Sequence, residues 1–353
     1  YSGNISIQSP TRLPEVISNS AEYMEMYNRA AYRQNLPFKY DEEEIEIYRN
    51  PPDSLKHEYP NFDAYDYWYR NATVHNHNIS VAGGGENSMY NASFSYLNQN
   101  AIIPGYRFKR YNALINYTLD INKWLTLGTI ANVTYKYDKK PPMHDVFMPL
   151  YITCTNPLNE TYLPDGSGRV VSQAYRGEPR QRNPAEIYLM GTYYSRENNL
   201  NGQVYIDLKP FKGLTWTTKF AIDYVDRFFK KHQQYYTTNY LHFKSRGDYV
   251  TSPGSVDKPG VTDDYLKEST PTLYSVVNYQ AIFGENHDFN ALAGYEQISF
   301  RRQALRVNRP RSAFPRLSEL QAYSSTDQSL FPGDAGKRLP KYEDPEEWAM
   351  QSF

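Results

Sequence analysis

Residues 75–136 read HNHNISVAGGGENSMYNASFSYLNQNAIIPGYRFKRYNALINYTLDINKWLTLGTIANVTYK, and nearly all of the stretch alternates. Tyr90, Ala92, Phe94 and Tyr96 fall on one side, with Met89, Asn91, Ser93 and Ser95 between them. Further on, Tyr111, Ala113, Ile115, Tyr117 and Leu119 alternate with Arg110, Asn112, Asn116 and Thr118. The third run sets Leu125, Leu127, Ala131, Val133 and Tyr135 against Thr126, Asn132 and Thr134. A period of two held over about ten residues marks a strand whose faces meet different solvents.

Periodicity does not say which solvent meets which face. A soluble antiparallel sheet turns its apolar side chains inward. A transmembrane β-barrel turns them out to lipid and keeps the polar ones around a watery lumen. The connections separate the two. Short turns fall at Gly83–Asn87, Asp120–Lys123, Pro210–Gly213 and Gly284–His287, whereas residues 139–197, 232–268 and 305 to the end are long connections. Short turns on one rim and long loops on the other describe an outer-membrane barrel. Structureless loops of that length count against a compact soluble domain.

HNHNISVAGGGENSMYNASFSYLNQNAII followed by FKRYNALINYTLDINKWLTLG resembles the early barrel segment of SusC/RagA-type TonB-dependent outer-membrane transporters. YSGNISIQSPTRLPEVISNSAEYMEMYNRA at the start is similar to the same family, as are HDFNALAGYEQ at 287–297, FPRLSELQAYSS at 314–325 and EWAMQSF at the end. The resemblance implies that residues 1–353 are an N-terminal part of the barrel, with plug domain, signal peptide, TonB-contacting segment and later strands having no counterpart here. It further implies uptake of oligosaccharides or peptides across the bacterial outer membrane. A SusD-like surface lipoprotein would cap the loops, and TonB–ExbB–ExbD would act through the plug. The fold expected is all-β: an antiparallel up-and-down transmembrane β-barrel, partial at about nine strands, with long external loops and a short amphipathic helix.

Composition fits that expectation. The 353 residues are 40% hydrophobic with a mean hydropathy of -0.75, yet include 35 tyrosines and are 16% aromatic. Disordered chains lack aromatics, whereas a barrel combines a polar lumen with aromatic girdles at both interfaces. A sugar-binding or adhesive β protein is the other composition-based reading. A formal net charge of -1 without a basic stripe gives no case for nucleic acid. Cys154 is the sole cysteine, so no internal disulfide forms. No run of 18 apolar residues predicts a membrane-spanning helix. The absence of a signal sequence at the start is expected of a mature or cut N-terminus.

Along the chain, residues 1–8 alternate as a first strand. Residues 19–35 predict an amphipathic helix that opens on a capping box of Asn19 and Glu22, with Tyr23, Met26, Tyr27 and Ala30 at helical intervals. Asp41–Glu46 reads as a solvated helix start, calcium ligation being the weaker alternative because no turn glycine or ligand spacing accompanies it. Residues 61–71 (NFDAYDYWYRN) are aromatic and acidic. Two later hairpins repeat the alternation. Leu200, Gly202, Val204, Ile206 and Leu208 face away from Asn201, Gln203, Tyr205 and Asp207. After the turn, Trp216, Phe220, Ile222 and Tyr224 oppose Thr215, Thr217, Lys219 and Asp223. Lys219 and Asp223 are too costly in lipid, so their face lines the lumen. Residues 273–283 and 288–300 form the third hairpin, and 348–353 begin a further strand.

Catalytic and metal chemistry find little support. His75 and His77 share a strand face, but no Cys or carboxylate completes a metal site, and a pair at a strand end facing water accounts for them. Gly83–Gly85 is a turn and lacks the Lys-Ser/Thr of a phosphate loop. Asp63 with Asp66, and Asp263 with Asp264, raise a glycosidase reading that needs a cleft separation no sequence supplies. No Gly-x-Ser-x-Gly elbow occurs. No enzyme activity and no cofactor are expected. Trp68, Tyr235, Tyr236 and Tyr240 cluster in loop-like aromatic stretches and are the expected ligand or partner contacts, with interface anchoring or packing between loops as the alternative. The competing function is a secreted or surface glycan-binding β protein.

Overall fold

A computed structural model describes residues 1–56, 59–142, 147–162, 168, 170–171, 183–234, 237–240, 250–253, 260–284, 287–310, 341–343 and 349–352. The alternating stretches become the strands β1 (Ser2–Gln8), β2 (Ala72–Gly84), β3 (Ser88–Asn100), β4 (Arg107–Asn122), β5 (Leu125–Lys140), β6 (Gly191–Leu208) and β7 (Leu214–Gln233). A small hairpin, β8 (Thr237–Tyr240) with β9 (Val250–Pro253), precedes the long strands β10 (Gly260–Phe283) and β11 (His287–Pro310). Short pieces β12 (Lys341–Glu343) and β13 (Ala349–Ser352) pair with β11.

Among the described residues nine strands, β1–β7, β10 and β11, run in sequence order as one antiparallel meander. Every neighbour is the next long strand along the chain, as an up-and-down barrel wall requires. Among the described residues the sheet does not close on itself: its path runs from β1 to β12. The partial barrel read from the sequence is therefore the architecture found. β2–β3, β4–β5, β6–β7 and β10–β11 join through short turns on one rim; from the other leave the long β1–β2, β5–β6 and β7–β10 connections and the short β3–β4 link of residues 101–106.

Among the described residues, five α-helices sit in the long connections: α1 (Ser20–Arg33), α2 (Glu42–Arg49), α3 (Ala64–Trp68), α4 (Phe147–Thr153) and α5 (Pro184–Leu189). Their starts are written locally. Asn19 accepts a hydrogen bond from the Glu22 amide, as its capping spacing predicted, and Asp41 accepts from Glu44. Asp63 caps α3 by accepting from the Tyr65 and Asp66 amides. Asn183 caps α5, with Pro184 in the first turn where its missing N–H is no loss.

Among the described residues the two buried apolar clusters lie in this rim, while the strands contribute isolated buried residues such as Val261 and Leu266. Ala21 and Met24 of α1 pack with Tyr40, with Ile45 and Tyr48 of α2, and with Leu158 from a different connection. Trp68, Ile103, Met148, Ile152 and Ile187 form a second cluster that joins α3, α4 and α5. Backbone contacts lock the same connections together: the Phe62 amide donates to Pro157 O at 2.9 Å, and the Tyr188 hydroxyl to Pro104 O at 2.5 Å. Three connections that leave one rim thus share one packed cap. The strand faces, by contrast, leave large apolar side chains uncovered: Val204 is 54% exposed, Phe220 47% and Ile206 43%. A β-sandwich would have buried these against a second sheet.

Candidate functional site: the two faces of the sheet

Register shows which side chains share a face, since paired residues project the same way. One row runs Tyr90, Tyr117, Thr129, Val204, Phe220, Leu273. The row toward the long connections reads Ile79, Phe94, Ala113, Val133, Leu200, Tyr224. Both rows belong to the apolar face, where side chains such as Phe94, Val133, Val204 and Phe220 are exposed.

Aromatic rings border this face above and below. Near the long connections, Tyr96, Tyr111 and Tyr135 follow one another across three strands at centroid spacings of 4.9 and 6.0 Å. Tyr137, Tyr194, Phe228 and Tyr265 carry the belt on to β10 at 6.1, 6.1 and 4.7 Å. At the short-turn rim, Phe211, Tyr279 and Phe289 form the second belt at 6.3 Å each. From Leu208 to Asn198 is ten residues of β6; at about 3.4 Å per residue and about 40° tilt the band is about 26 Å tall. That is close to the roughly 25 Å lipid-facing band of outer-membrane barrels.

The opposite face is a ladder of polar contacts. Thr134 donates to Asn112 at 2.6 Å, Lys136 pairs with Glu197 at 2.9 Å, and Asn199 donates to the same carboxylate at 2.9 Å. Asn201 donates to Asp223, and Thr217 to Asp207 at 2.6 Å. Gly128 has a specific use here. A Cβ at that position would lie 2.0 Å from the Tyr205 ring, so its absence lets Tyr205 cross β5 and meet Thr118 on β4 at 3.0 Å. Lys219 and Asp223 lie on this face, where the sequence placed them.

At the loop end of the polar face, β6, β7, β10 and β11 form a groove of roughly 510 Å³. Its walls carry Arg227, Lys231, Arg302 and Arg306 against Glu197 and Asp264, beside the Tyr193 and Phe229 rings at 4.4 Å. Arg306 grips Asp264 through Nε at 3.0 Å and Nη2 at 2.6 Å, and Arg302 lies 3.4 Å from Glu268. The groove offers fixed charge, hydrogen-bond donors and two aromatic walls, the means of binding a polar solute. Sequence reasoning missed it because its residues come from four strands and fall together only through register.

The sorting weakens at β11. Gln297 and Arg301 share the apolar side with Leu273 and Ser269, while Leu292 and Ile298 lie on the polar side. On the neighbouring strands, Ser275 answers its polarity locally, accepting from Trp216 Nε1 at 2.8 Å and meeting Thr218 at 3.1 Å.

The sequence candidates fare differently. Trp68 is 4% exposed, stacked on Tyr188 at 5.8 Å inside the loop cluster, which is the packing alternative. Tyr235 and Tyr236 lie outside the described residues, and Tyr240 is placed only as the last residue of β8. His75 and His77 stack at 6.4 Å, with His77 Nδ1 2.9 Å from the Tyr1 hydroxyl. They are not at a strand end, as expected, but well inside β2, because β1 pairs along residues 72–78. Among the described residues no group of three metal-ligating side chains forms. The carboxylate pairs separate: Asp63 is a helix cap, Asp263 is buried 3.6 Å from Lys230, and Asp264 projects to the other face.

No protein-family profile matches the chain. It is 25% identical over 298 residues to TonB-dependent receptor P26 of Formosa agariphila, covering 83% of this chain and 27% of that protein. TonB-dependent receptor P39 of the same organism is 25% identical over 219 residues, 62% of this chain and 19% of that one. The chain thus spans about a quarter or less of the curated relatives it matches. Among solved structures, the RagAB peptide importer in its open-open state superposes with a TM-score of 0.69 at 16% identity, over 99% of this chain and 38% of that one. The closed-closed state gives 0.65 at 15% identity. These relatives are receptors and transporters, not enzymes. Strand order, banding and sequence likeness agree: the chain resembles part of the TonB-dependent receptors it matches and has the fold of a segment of the RagAB importer.

Proposed function

We propose that residues 1–353 build the early part of the barrel wall of an outer-membrane importer. Cargo would pass along the polar face, and the apolar face would contact lipid. The observation that supports this best is the two-sided sheet itself: an exposed apolar band between two aromatic belts, backed by a hydrogen-bonded polar wall with a charged groove at its loop end. The cargo class is oligosaccharide or peptide, the fold likeness to a peptide importer favouring peptides. A SusD-like lipoprotein would meet the packed cap of long connections, and TonB–ExbB–ExbD would drive release through a plug domain. Tyr235, Tyr236 and Tyr240 remain proposed cargo or partner contacts.

The test is uptake by cells carrying the full-length transporter. Labelled peptide and oligosaccharide pools are supplied to wild type, to Arg227→Glu with Arg302→Glu, and to Tyr235, Tyr236 and Tyr240 all changed to Ala. On this reading the charge reversal lowers uptake of one pool at least about tenfold while the barrel remains folded. Unchanged uptake of both pools by the charge-reversed variant would refute the groove's role, and unchanged uptake by the triple Ala variant would remove the tyrosines. A water-soluble glycan-binding protein is the competing reading; refolding in buffer without detergent would favour it.

A further inference from the structure

The apolar face does not end at the upper aromatic belt. Two rows of paired residues continue it across β4, β5 and β6: Arg107, Lys139 and Tyr194 in one, Lys109, Tyr137 and Arg196 in the other. Four cations and two phenols therefore occupy a lattice three strands wide and two rows deep. From strand and residue spacings it measures about 10 Å by 7 Å. Arg107, Lys139 and Arg196 are exposed. Arg196 lies over the Tyr194 and Phe228 rings at 5.7 and 5.0 Å, and Arg107 Nε donates to Asn98 at 3.1 Å, which holds both side chains on this face. The acidic residue of the same segment, Asp138, projects to the polar side. On the outer face the nearby carboxylates are Asp226 and Asp263, on other strands, and Asp263 is buried beside Lys230.

We propose that this patch binds the phosphate groups of lipid headgroups. Its height decides the occupant. The patch shares Tyr137 and Tyr194 with the upper aromatic belt and sets its cations around them, at the level where acyl chains give way to headgroups. A barrel surface at that level meets lipid, and a cluster of cations without an adjacent outer-face carboxylate on its own strands selects anionic lipid. Four cations on a patch of that size can meet more than one phosphate, with guanidiniums as bidentate partners and the phenols as further donors. The inference rests on the membrane-barrel reading of the sheet.

The experiment uses the full-length transporter in non-ionic detergent and diphosphorylated lipid A as the probe, with phosphate-free lipid A as comparison. Variants are checked for the folded barrel by their migration in cold detergent gels. Replacing Arg107, Lys109, Lys139 and Arg196 together with Gln should weaken binding about fivefold per cation, on the order of a hundredfold or more in all. The inner-face variant Arg110→Gln with Lys136→Gln should bind like wild type. If the fourfold variant does not fold, Arg107→Gln with Lys139→Gln and Lys109→Gln with Arg196→Gln should each give an intermediate loss. Equal binding of the phosphate-free lipid, an unchanged outer-face variant, or an equal loss in the inner-face variant overturns the proposal. Partition of the wild type into water without detergent would instead overturn the barrel reading beneath it.

Discussion

Val204→Arg discriminates sharply between a lipid-facing and a water-facing band. Val204 is 54% exposed in the row that joins Thr129, Val204, Phe220 and Leu273. It stands four residues from Leu208 and six from Asn198, hence about 10 Å above one edge of the band and about 16 Å below the other at 40° tilt. Arg at that depth costs about 2–4 kcal/mol in a bilayer, falling to about 0–1 kcal/mol near an interface. The same change on a sheet face exposed to water stays within about 0.5 kcal/mol. The assay is urea unfolding of the full-length transporter in lipid vesicles. Val204→Arg should lower stability by about 2–4 kcal/mol. Leu208→Arg should cost about 1 kcal/mol or less. Gln203→Arg, one residue away on the polar face, should be close to neutral. Equal effects at 203 and 204, or a neutral Val204→Arg, would refute the reasoning.

Further consequences are open to measurement. Trp68→Ala should destabilise the loop cap by about 3–5 kcal/mol, the cost of emptying a buried aromatic site; hydrogen exchange should quicken in α3, α4 and α5 and not in β2–β7. Asn19→Ala removes the α1 cap and should cost about 1 kcal/mol, seen as faster proteolysis within residues 20–33. Cys154 is exposed in the 141–190 connection, so a membrane-impermeant maleimide should label it on intact cells, and labelling only after lysis would place that rim inside. The Asn50 amide and Arg49 guanidinium hold the Glu46 carboxyl below its ordinary value. Their contribution to α2 is therefore present above the ordinary carboxylate range and lost as pH falls through the lowered value, so acid should loosen the α2 C-terminus, with Glu46→Gln abolishing that pH dependence.

The membrane-facing part of the fold was legible because lipid and water impose opposite demands on alternate residues. The period-two signal over residues 199–208 was clear, yet β6 begins at Gly191. Residues 191–198 lie at and above the aromatic belt, where both faces are wet and alternation loses its cause. β7, β10 and β11 outrun their sequence signals in the same way. The cap of α1 was readable from Asn19 and Glu22, whereas α4 and α5 are short and hold prolines, so no helical period accumulates. Asp63 shows the limit for sites. As a letter beside Asp66 it suggested paired acids, but its carboxylate is committed to two backbone amides. The polar groove was out of reach for a related reason: Glu197, Arg227, Asp264 and Arg306 are distant in sequence and adjacent only through strand register.

The central claim is that the apolar side of these strands touches acyl chains and the polar side borders an aqueous lumen. Spin labels placed singly at residues 199–208 of the full-length transporter in bilayers test it directly, through collision with oxygen, which concentrates in lipid, and with a water-soluble nickel chelate. Labels at 200, 202, 204, 206 and 208 should favour oxygen, and those at 201, 203, 205 and 207 the chelate. A profile without alternation, or with the two sets exchanged, contradicts the account.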